Sequence, residues 1–384
     1  MEHLASSPQE TKGKVLIAAG GTGGHLFPGI ALARECEARG LKTLFVGTSH
    51  GMEREVLMQE GFSYWTLSLS GIRRFGDSKD GIWKNLLTLL PNLRSGLLLF
   101  LSIFQSLWIL LRVRPKIVIG MGGYLSFPIL LAAWFIRKPT FISEQNLLPG
   151  LSTRILSFFA REVHLSFEGT KRFLRRKKRV YVSGNPVRRE IALAGIEKRS
   201  SPHPPKTILI FGGSRGARSL NRAFLDSLPY LKNWERFRFI LQTGTEEFRE
   251  IESQLERSPF THRITLYPFI RDMARAYEEA DIVVSRAGAS TCAEITTLGI
   301  PALLIPYPHA TEGHQKANAF FLKERGAAEV IQNGDLSGER LAKTLLDLLS
   351  DENRLRVMSE RSRSLGRPQA AQIIADRIIQ WIRR

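Results

Sequence analysis

Two stretches decide the fold, KVLIAAGGTGGHLFPGIALA at 14–33 and KTILIFGGSRGARSLNRAFL at 206–225. Each opens with a short aliphatic run, breaks at clustered glycines, and resumes with the spacing of a helix packed on a sheet. A strand that passes into a helix through such a turn presents main-chain amides at the helix N-terminus, where negative charge is favoured. Outward from these stretches the alternation continues. KTLFVG (42–47), KIVIG (116–120), TFIS (140–143) and RVYVSG (179–184) follow the first; RFILQTG (238–244), RITLYPF (263–269), DIVVS (281–285) and PALLIPYP (301–308) follow the second. Strands separated by helix-length segments form βαβ units, whose parallel sheets are buried on both faces. The polar stretch EKRSSPHPPK (197–206) separates the halves. The expected fold class is therefore α/β, with two doubly wound Rossmann-like domains facing across a cleft. The first covers residues 1–186 and the second 187–367. A terminal helix, 368–384, carries Ile373, Ile374, Ile378 and Trp381 at helical spacing and is expected to pack back on the first domain.

Composition removes several classes. A chain of 384 residues with 43% hydrophobic and 24% charged residues is neither disordered nor fibrous. Cys36 and Cys292 are too few for a disulfide framework and read as reduced thiols. The 55 basic residues outnumber 36 acidic ones, leaving +19, which implies polyanionic company: nucleic acid, anionic lipid or phosphorylated substrates. Seven basic residues crowd KRFLRRKKR (171–179), as a solvated face or a binding surface. The first twelve residues lack the apolar run of a secretory signal and read as a lead-in to a cytosolic domain. The 17 uncharged residues of SGLLLFLSIFQSLWILL (95–111) would extend about 25 Å as a helix against a hydrocarbon core of about 30 Å, so a buried helix fits better than a span.

Two standard ligands of glycine loops do not fit. A dinucleotide site wants an acidic residue ending the second strand, where Val46, Gly47 and Thr48 stand. A P-loop wants Gly-Lys-Ser/Thr, where Gly24, His25, Leu26 and Gly216, Ala217, Arg218 stand. No cofactor is expected, and with no Asp-x-Asp pair no metal either. More distinctive is the ordered set GGTGGH (20–25), GMGGY (120–124), EQN (144–146), GNPVR (184–188), GGSRGA (212–217), SRAGASTCAEI (285–295) and HATEGHQKANA (309–319).

In this order, from about Lys14 to the final helix, the set resembles the MurG family of bacterial glycosyltransferases. The resemblance implies the GT-B architecture and an inverting, metal-independent transfer of N-acetylglucosamine (GlcNAc) from UDP-GlcNAc. The acceptor it implies is the C4 hydroxyl of the muramyl sugar in undecaprenyl-diphosphate-linked muramyl pentapeptide (lipid I), giving lipid II for peptidoglycan. The first half would hold the acceptor and the second the nucleotide. Such an enzyme is expected at the cytoplasmic face of the inner membrane, peripherally attached to an anionic surface and in company with other cell-wall synthesis proteins. A UDP-sugar transferase acting on diacylglycerol is the enzymatic alternative. An RNA-binding module is the alternative of another class, against which stands the absence of an RRM-type sheet motif or zinc spacing, so no specific nucleic acid is expected.

Residue roles follow from the resemblance. His25 is expected as the base, because an imidazole titrates near neutrality; a helix cap or anion ligand is the plain alternative, and Glu144 or a water-mediated group the competing base. Thr22, Gly23 and Gly24 form its loop. Ser214, Arg215 and Gly216, with Arg188, are expected at the diphosphate, although Arg215 also reads as loop surface charge. Ile270 is expected to address the uracil through its backbone, Ala289 and Ser290 to start a helix facing the nucleotide, and Glu294 to bind the ribose hydroxyls. Asn146, His314, Gln315 and Asn318 are candidates for the sugar, with the choice between His314 and Gln315 open. Ile82, Trp83, Leu86, Leu87 and Leu90 form an apolar stripe edged by Arg73, Arg74, Lys79, Lys84 and Arg94, an interfacial-helix pattern. On this reading 72–94 faces lipid and Leu97–Leu111 joins the core.

Overall fold

A computed structural model describes residues 13–20, 23–48, 52–69, 82–175, 177–197, 206–213, 216–231 and 234–383, with only the backbone of 52, 82–95, 97, 195–197 and 234. The described residues fall into two compact units. Unit 1 takes those of Met1–Gln145, Pro149–Ser183 and Ala371–Arg384; unit 2 takes Asn146–Leu148 and those of Gly184–Ala370. The boundary lies three residues before the expected one, and the tripeptide Asn146–Leu148 groups with the second unit.

Unit 1 runs β1 (Lys14–Ala18), α1 (Gly23–Ala38), β2 (Lys42–Thr48), α2 (Met52–Gln59), β3 (Ser63–Leu67), α3 (Ile82–Val113), β4 (Ile117–Gly120), α4 (Ser126–Phe135), β5 (Thr140–Glu144), α5 (Leu151–Leu156), β6 (Glu162–Leu165) and β7 (Val180–Val182). Its seven parallel strands stand in the order β3-β2-β1-β4-β5-β6-β7. Successive side chains of a strand point to opposite faces, so β1 feeds two cores. Val15 and Ile17 pack with Leu26, Ile30 and Cys36 of α1, while Leu16 and Ala18 pack with Ile109, Leu110 and Ile129 of α3 and α4. Strands β3 and β6 were not read from the sequence. β3 is half-exposed and β6 carries Glu162 and His164 in a buried strand, so neither shows an unbroken aliphatic run.

Unit 2 runs α6 (Arg189–Glu197), β8 (Lys206–Phe211), α7 (Arg218–Ser227), β9 (Phe237–Gln242), α8 (Phe248–Glu256), β10 (Ile264–Tyr267), α9 (Met273–Glu279), β11 (Ile282–Ser285), α10 (Ala289–Leu298), β12 (Ala302–Leu304), α11 (His314–Glu324), β13 (Ala328–Val330), α12 (Gly338–Leu349) and α13 (Glu352–Leu365). Six parallel strands stand in the order β10-β9-β8-β11-β12-β13. In both sheets the first strand sits inside and the strand order reverses beside it, the arrangement in which ligands bind beyond the strands' carboxyl ends.

The exposure of α3 corrects the sequence reading. Leu97–Leu111 was expected in the core, but Phe100, Phe104, Trp108 and Leu111 face solvent, whereas Ser102 and Ser106 are fully buried. The serines can face inward because each hydroxyl donates to its own helix, Ser102 to the Leu99 carbonyl and Ser106 to the Ser102 carbonyl, both at 2.6 Å. Buried polar groups so satisfied leave the aromatic row to the outside. The Ile82–Leu90 stripe lies on the helical backbone of α3, its side chains outside the described residues.

The last helix, α14 (Ala370–Ile382), joins unit 1 from Ala371 onward. Ile374, Ala375 and Ile378 are buried beside β1 and α1, while Ile373, expected inward, is exposed. The buried Glu162 carboxylate accepts hydrogen bonds from both the guanidinium of Arg377 (2.9 Å from Nε) and the indole of Trp381 (2.6 Å), and Arg377 also donates to the Tyr181 hydroxyl. Burial works to raise the Glu162 pKa, but hydrogen bonds from His164, Arg377 and Trp381 outweigh it and bring it down to about 2. A depressed carboxyl pKa contributes stability that is present above the unfolded pKa and lost as pH falls through the folded one. Glu162→Gln should therefore destabilise unit 1 by about 2–4 kcal/mol at pH 7, and its difference from wild type in urea unfolding should shrink between about pH 5 and pH 2.

Candidate functional site

In unit 1 the glycine turn after β1 starts α1, and its third residue is His25. Gly23 and Gly24 form the first turn of that helix; Thr22 lies outside the described residues. Two loops close on the imidazole. From the end of β5, Gln145 Oε1 lies 2.9 Å from His25 Nδ1. From the end of β4, the GMGG turn wraps the ring so tightly that a β-carbon on Gly122 would stand 3.1 Å from both His25 Cε1 and Gln145 Oε1, and Gly122 has φ +84°. Burial lowers the His25 pKa, with the Gln145 hydrogen bond and the Met121 main chain opposing, so the imidazole is neutral at neutral pH. Glu144, the competing base, is buried and accepts from the Gly150 amide at 3.4 Å, a turn-holding position. Gln145 was quoted within EQN but not assigned; two tight turns meeting at one side chain have no local signal in the sequence.

In unit 2 the turn after β8 comes up against β9. Gly216, at φ +77°, would place a β-carbon 1.9 Å from the Thr243 carbonyl oxygen, so the backbones touch where any other residue would separate them. Ser214 and Arg215 lie outside the described residues. Gln242, at the end of β9, donates to the Gly213 carbonyl at 2.9 Å and accepts from the Ile270 amide at 2.8 Å. One buried amide thus ties the glycine turn to the position expected to read a base. With its N–H engaged, Ile270 can address a base through its carbonyl.

Below the start of α7 lies Arg286, the arginine of SRAGAST, which sequence reasoning passed over. Its guanidinium is buried and donates to Ser219 Oγ (2.7 Å), Asn333 Oδ1 (2.9 Å) and the Ile305 carbonyl (3.0 Å), all uncharged oxygens. Burial lowers its pKa to about 10, which leaves it a cation at neutral pH. Positive charge is thereby held next to a helix N-terminus that is already electropositive.

Glu294 sits in the second turn of α10, whose first residues are Ala289 and Ser290 behind Gly288 as N-cap. Tyr277 of α9 donates to Glu294 Oε2 at 2.9 Å, and Arg188 Nη2 lies 3.8 Å from Oε1. Burial raises the Glu294 pKa, with Arg188 and Tyr277 opposing. Arg188, assigned from sequence to the diphosphate, thus stands against the carboxylate assigned to the ribose. Asn318 is fully buried and spent on protein: it donates to Asn146 Oδ1 (3.1 Å) and accepts from the Leu147 amide (3.0 Å). Asn318 therefore holds Asn146 in place, where the sequence suggested two independent sugar contacts. Gln315 Oε1 accepts from the Tyr307 amide (2.9 Å) and His314 Nδ1 donates to the Thr311 carbonyl (2.5 Å).

The chain matches glycosyltransferase family 28 twice, its N-terminal domain over residues 15–165 and its C-terminal domain over residues 207–374. It is similar to the UDP-N-acetylglucosamine--N-acetylmuramyl-(pentapeptide) pyrophosphoryl-undecaprenol N-acetylglucosamine transferases of Myxococcus xanthus and Geobacter metallireducens. The first is 40% identical over 94% of this chain and 91% of its own; the second is 42% identical over 95% and 98%. Among solved structures, the MurG of Acinetobacter baumannii superposes with a TM-score of 0.76 at 28% identity, covering 96% of this chain and 99% of that one. The turn geometry of unit 2 is testable by itself. Gly216→Ala must either shift the Thr243 carbonyl or abandon the left-handed backbone, so it should lower stability by about 2 kcal/mol or more in thermal unfolding.

Proposed function

The chain belongs to glycosyltransferase family 28, within it to the MurG family, and from that membership we propose that it transfers GlcNAc from UDP-GlcNAc to the C4 hydroxyl of the muramyl sugar in lipid I. The observation that carries the mechanism is the half-buried, neutral His25 held between Gln145 and the GMGG turn. A neutral imidazole takes the hydroxyl proton while the C4 oxygen forms its bond to the anomeric carbon. The bond from that carbon to the diphosphate breaks on the opposite face, UDP leaves with the electron pair, and the α-linked donor gives a β1,4 product.

Unit 2 supplies what the departing diphosphate needs. The amides at the start of α7 offer donors to its charge, the buried Arg286 behind Ser219 adds a fixed cation, and Ser214 and Arg215 are assigned to the diphosphate from their motif alone. Preorganised donors of this kind do the work of a metal clamp, and we propose transfer without a divalent ion. Ile270 addresses the uracil, Glu294 the ribose hydroxyls, and Asn146, Gln315 and His314 the sugar.

The acceptor's polyprenyl tail lies in a membrane, and unit 1 carries a surface suited to meet one. Phe100, Phe104, Trp108 and Leu111 of α3 are exposed, as are Trp134 and Phe135 at the end of α4 and Ile155 and Phe158 around α5. Arg112, Arg114 and Arg137 stand at the ends of these helices. Apolar rings beside basic residues favour the interface of an anionic leaflet. This aromatic and basic surface favours peripheral attachment at the cytoplasmic face; among the described residues no helix is long and apolar enough to cross a membrane.

With purified protein, His25→Ala should keep UDP-GlcNAc affinity and lose about 10²–10⁴ in turnover of lipid I; unchanged turnover would remove the base. Turnover of diacylglycerol but not of lipid I would replace the acceptor assignment. Trp108→Glu should weaken sedimentation with anionic vesicles by about tenfold or more, an aromatic burial being worth about 1.5–3 kcal/mol, while transfer to a short-chain soluble acceptor stays unchanged.

A further inference from the structure

We infer that Gln145 is a positioning residue that locks His25 in the tautomer protonated on Nδ1, so that Nε2 carries the lone pair that accepts the acceptor's proton. The inference rests on the reading of His25 as the base. Its warrant is directional. Gln145 Nε2 lies 2.8 Å from the Ser143 carbonyl oxygen, with Ser143 Oγ at 3.4 Å. A carbonyl only accepts, so the amide end that meets it must be the NH₂, and the end that meets His25 must be the oxygen. An amide oxygen also only accepts, so Nδ1 must bear the hydrogen. Gln145 is fully buried. Turning its amide over would set oxygen against oxygen at Ser143, a repulsion that a change of tautomer at His25 would not relieve.

Two further features suit the arrangement to a base. The fixed partner is an amide and not a carboxylate, so it orients the ring without the charge that would hold the imidazolium form. The GMGG turn closes the other side, since only residues without a β-carbon fit against the ring edge and Gln145 Oε1 together. The ionisable groups on the surrounding elements are Glu53 at the start of α2, Tyr124 ahead of α4 and Glu144 at the end of β5. Glu53 accepts from the Thr48 hydroxyl at 2.6 Å and Glu144 from the Gly150 amide. Burial of Tyr124, and then the charge of Glu53, push the Tyr124 pKa up, so its phenol is neutral. Burial lowers the ring's own proton affinity, and Gln145 followed by the Met121 main chain offset part of that.

The test combines nitrogen NMR with pH–rate profiles on the full chain. In ¹⁵N-histidine-labelled protein, with the His25 signals assigned by their loss in His25→Ala, wild type should show a protonated Nδ1 and an unprotonated Nε2 at pH 8. The reverse pattern overturns the proposal without any Gln145 variant. Gln145→Glu sets an oxygen against the Ser143 carbonyl but keeps an acceptor at Nδ1 and adds charge, so the acid limb of kcat/KM should move up by about one pH unit or more. Gln145→Leu removes the acceptor, so kcat should fall about tenfold or more with UDP affinity retained. Gln145→Glu protein that binds UDP normally yet shows an unmoved acid limb also overturns the proposal. If His25→Ala transfers as fast as wild type, the base reading is what fails, and the nitrogen spectrum still decides whether Gln145 sets the tautomer.

Discussion

The whole arrangement depends on backbones approaching more closely than a β-carbon allows. At Gly216 a methyl group would stand 1.9 Å from the Thr243 carbonyl oxygen; at Gly122 it would meet His25 and Gln145 together at 3.1 Å. Both positions also take positive φ, so glycine is required there twice over. Each lies in a turn at the carboxyl end of a central strand, where parallel topology sends every chain segment past the same edge. In unit 2 the close approach fixes the turn that leads into α7; in unit 1 it grips an imidazole. The sheets behind them, buried on both faces, supply the rigidity that such contacts need.

Charge is placed with the same economy. Arg286 is a buried cation whose partners are all uncharged oxygens, so its field is not cancelled by a neighbouring carboxylate and reaches the start of α7. Glu294 is held by Tyr277 and Arg188 against burial, which acts to neutralise it. His25 is the converse case: burial keeps it unprotonated and an amide orients it. On the proposed assignment, a departing diphosphate, a pair of ribose hydroxyls and an acceptor hydroxyl ask for these three different electrostatic states.

The limits of the sequence are visible in particular residues. Glycine clusters following aliphatic strands were legible because backbone geometry is local, and with them came His25, Gly216 and the start of α10. Asn146 and Asn318 were each legible as motif members, but their bond to one another spans 172 positions. Gln242 and Arg286 were passed over because a strand-terminal glutamine and a motif arginine look ordinary until their partners at Gly213, Ile270, Ser219 and Asn333 are in place. The aromatic face of α3 was misread for a related reason. Serines satisfied by their own helix can be buried, so polarity alone did not tell which side faced the core.

By itself, the sequence determined the doubly wound α/β character of both halves and the places of the glycine turns, because strand and helix periods and the steric demand for glycine act over a few residues; the chemistry those turns serve came from the resemblance of the ordered motifs to a known family. Tertiary structure alone decided that Glu162 is what anchors α14, that Gln145 meets His25, and that Tyr277 supports Glu294. Those outcomes depend on which distant strands become neighbours in the sheet, and hydrogen-bond direction and burial exist only once they have.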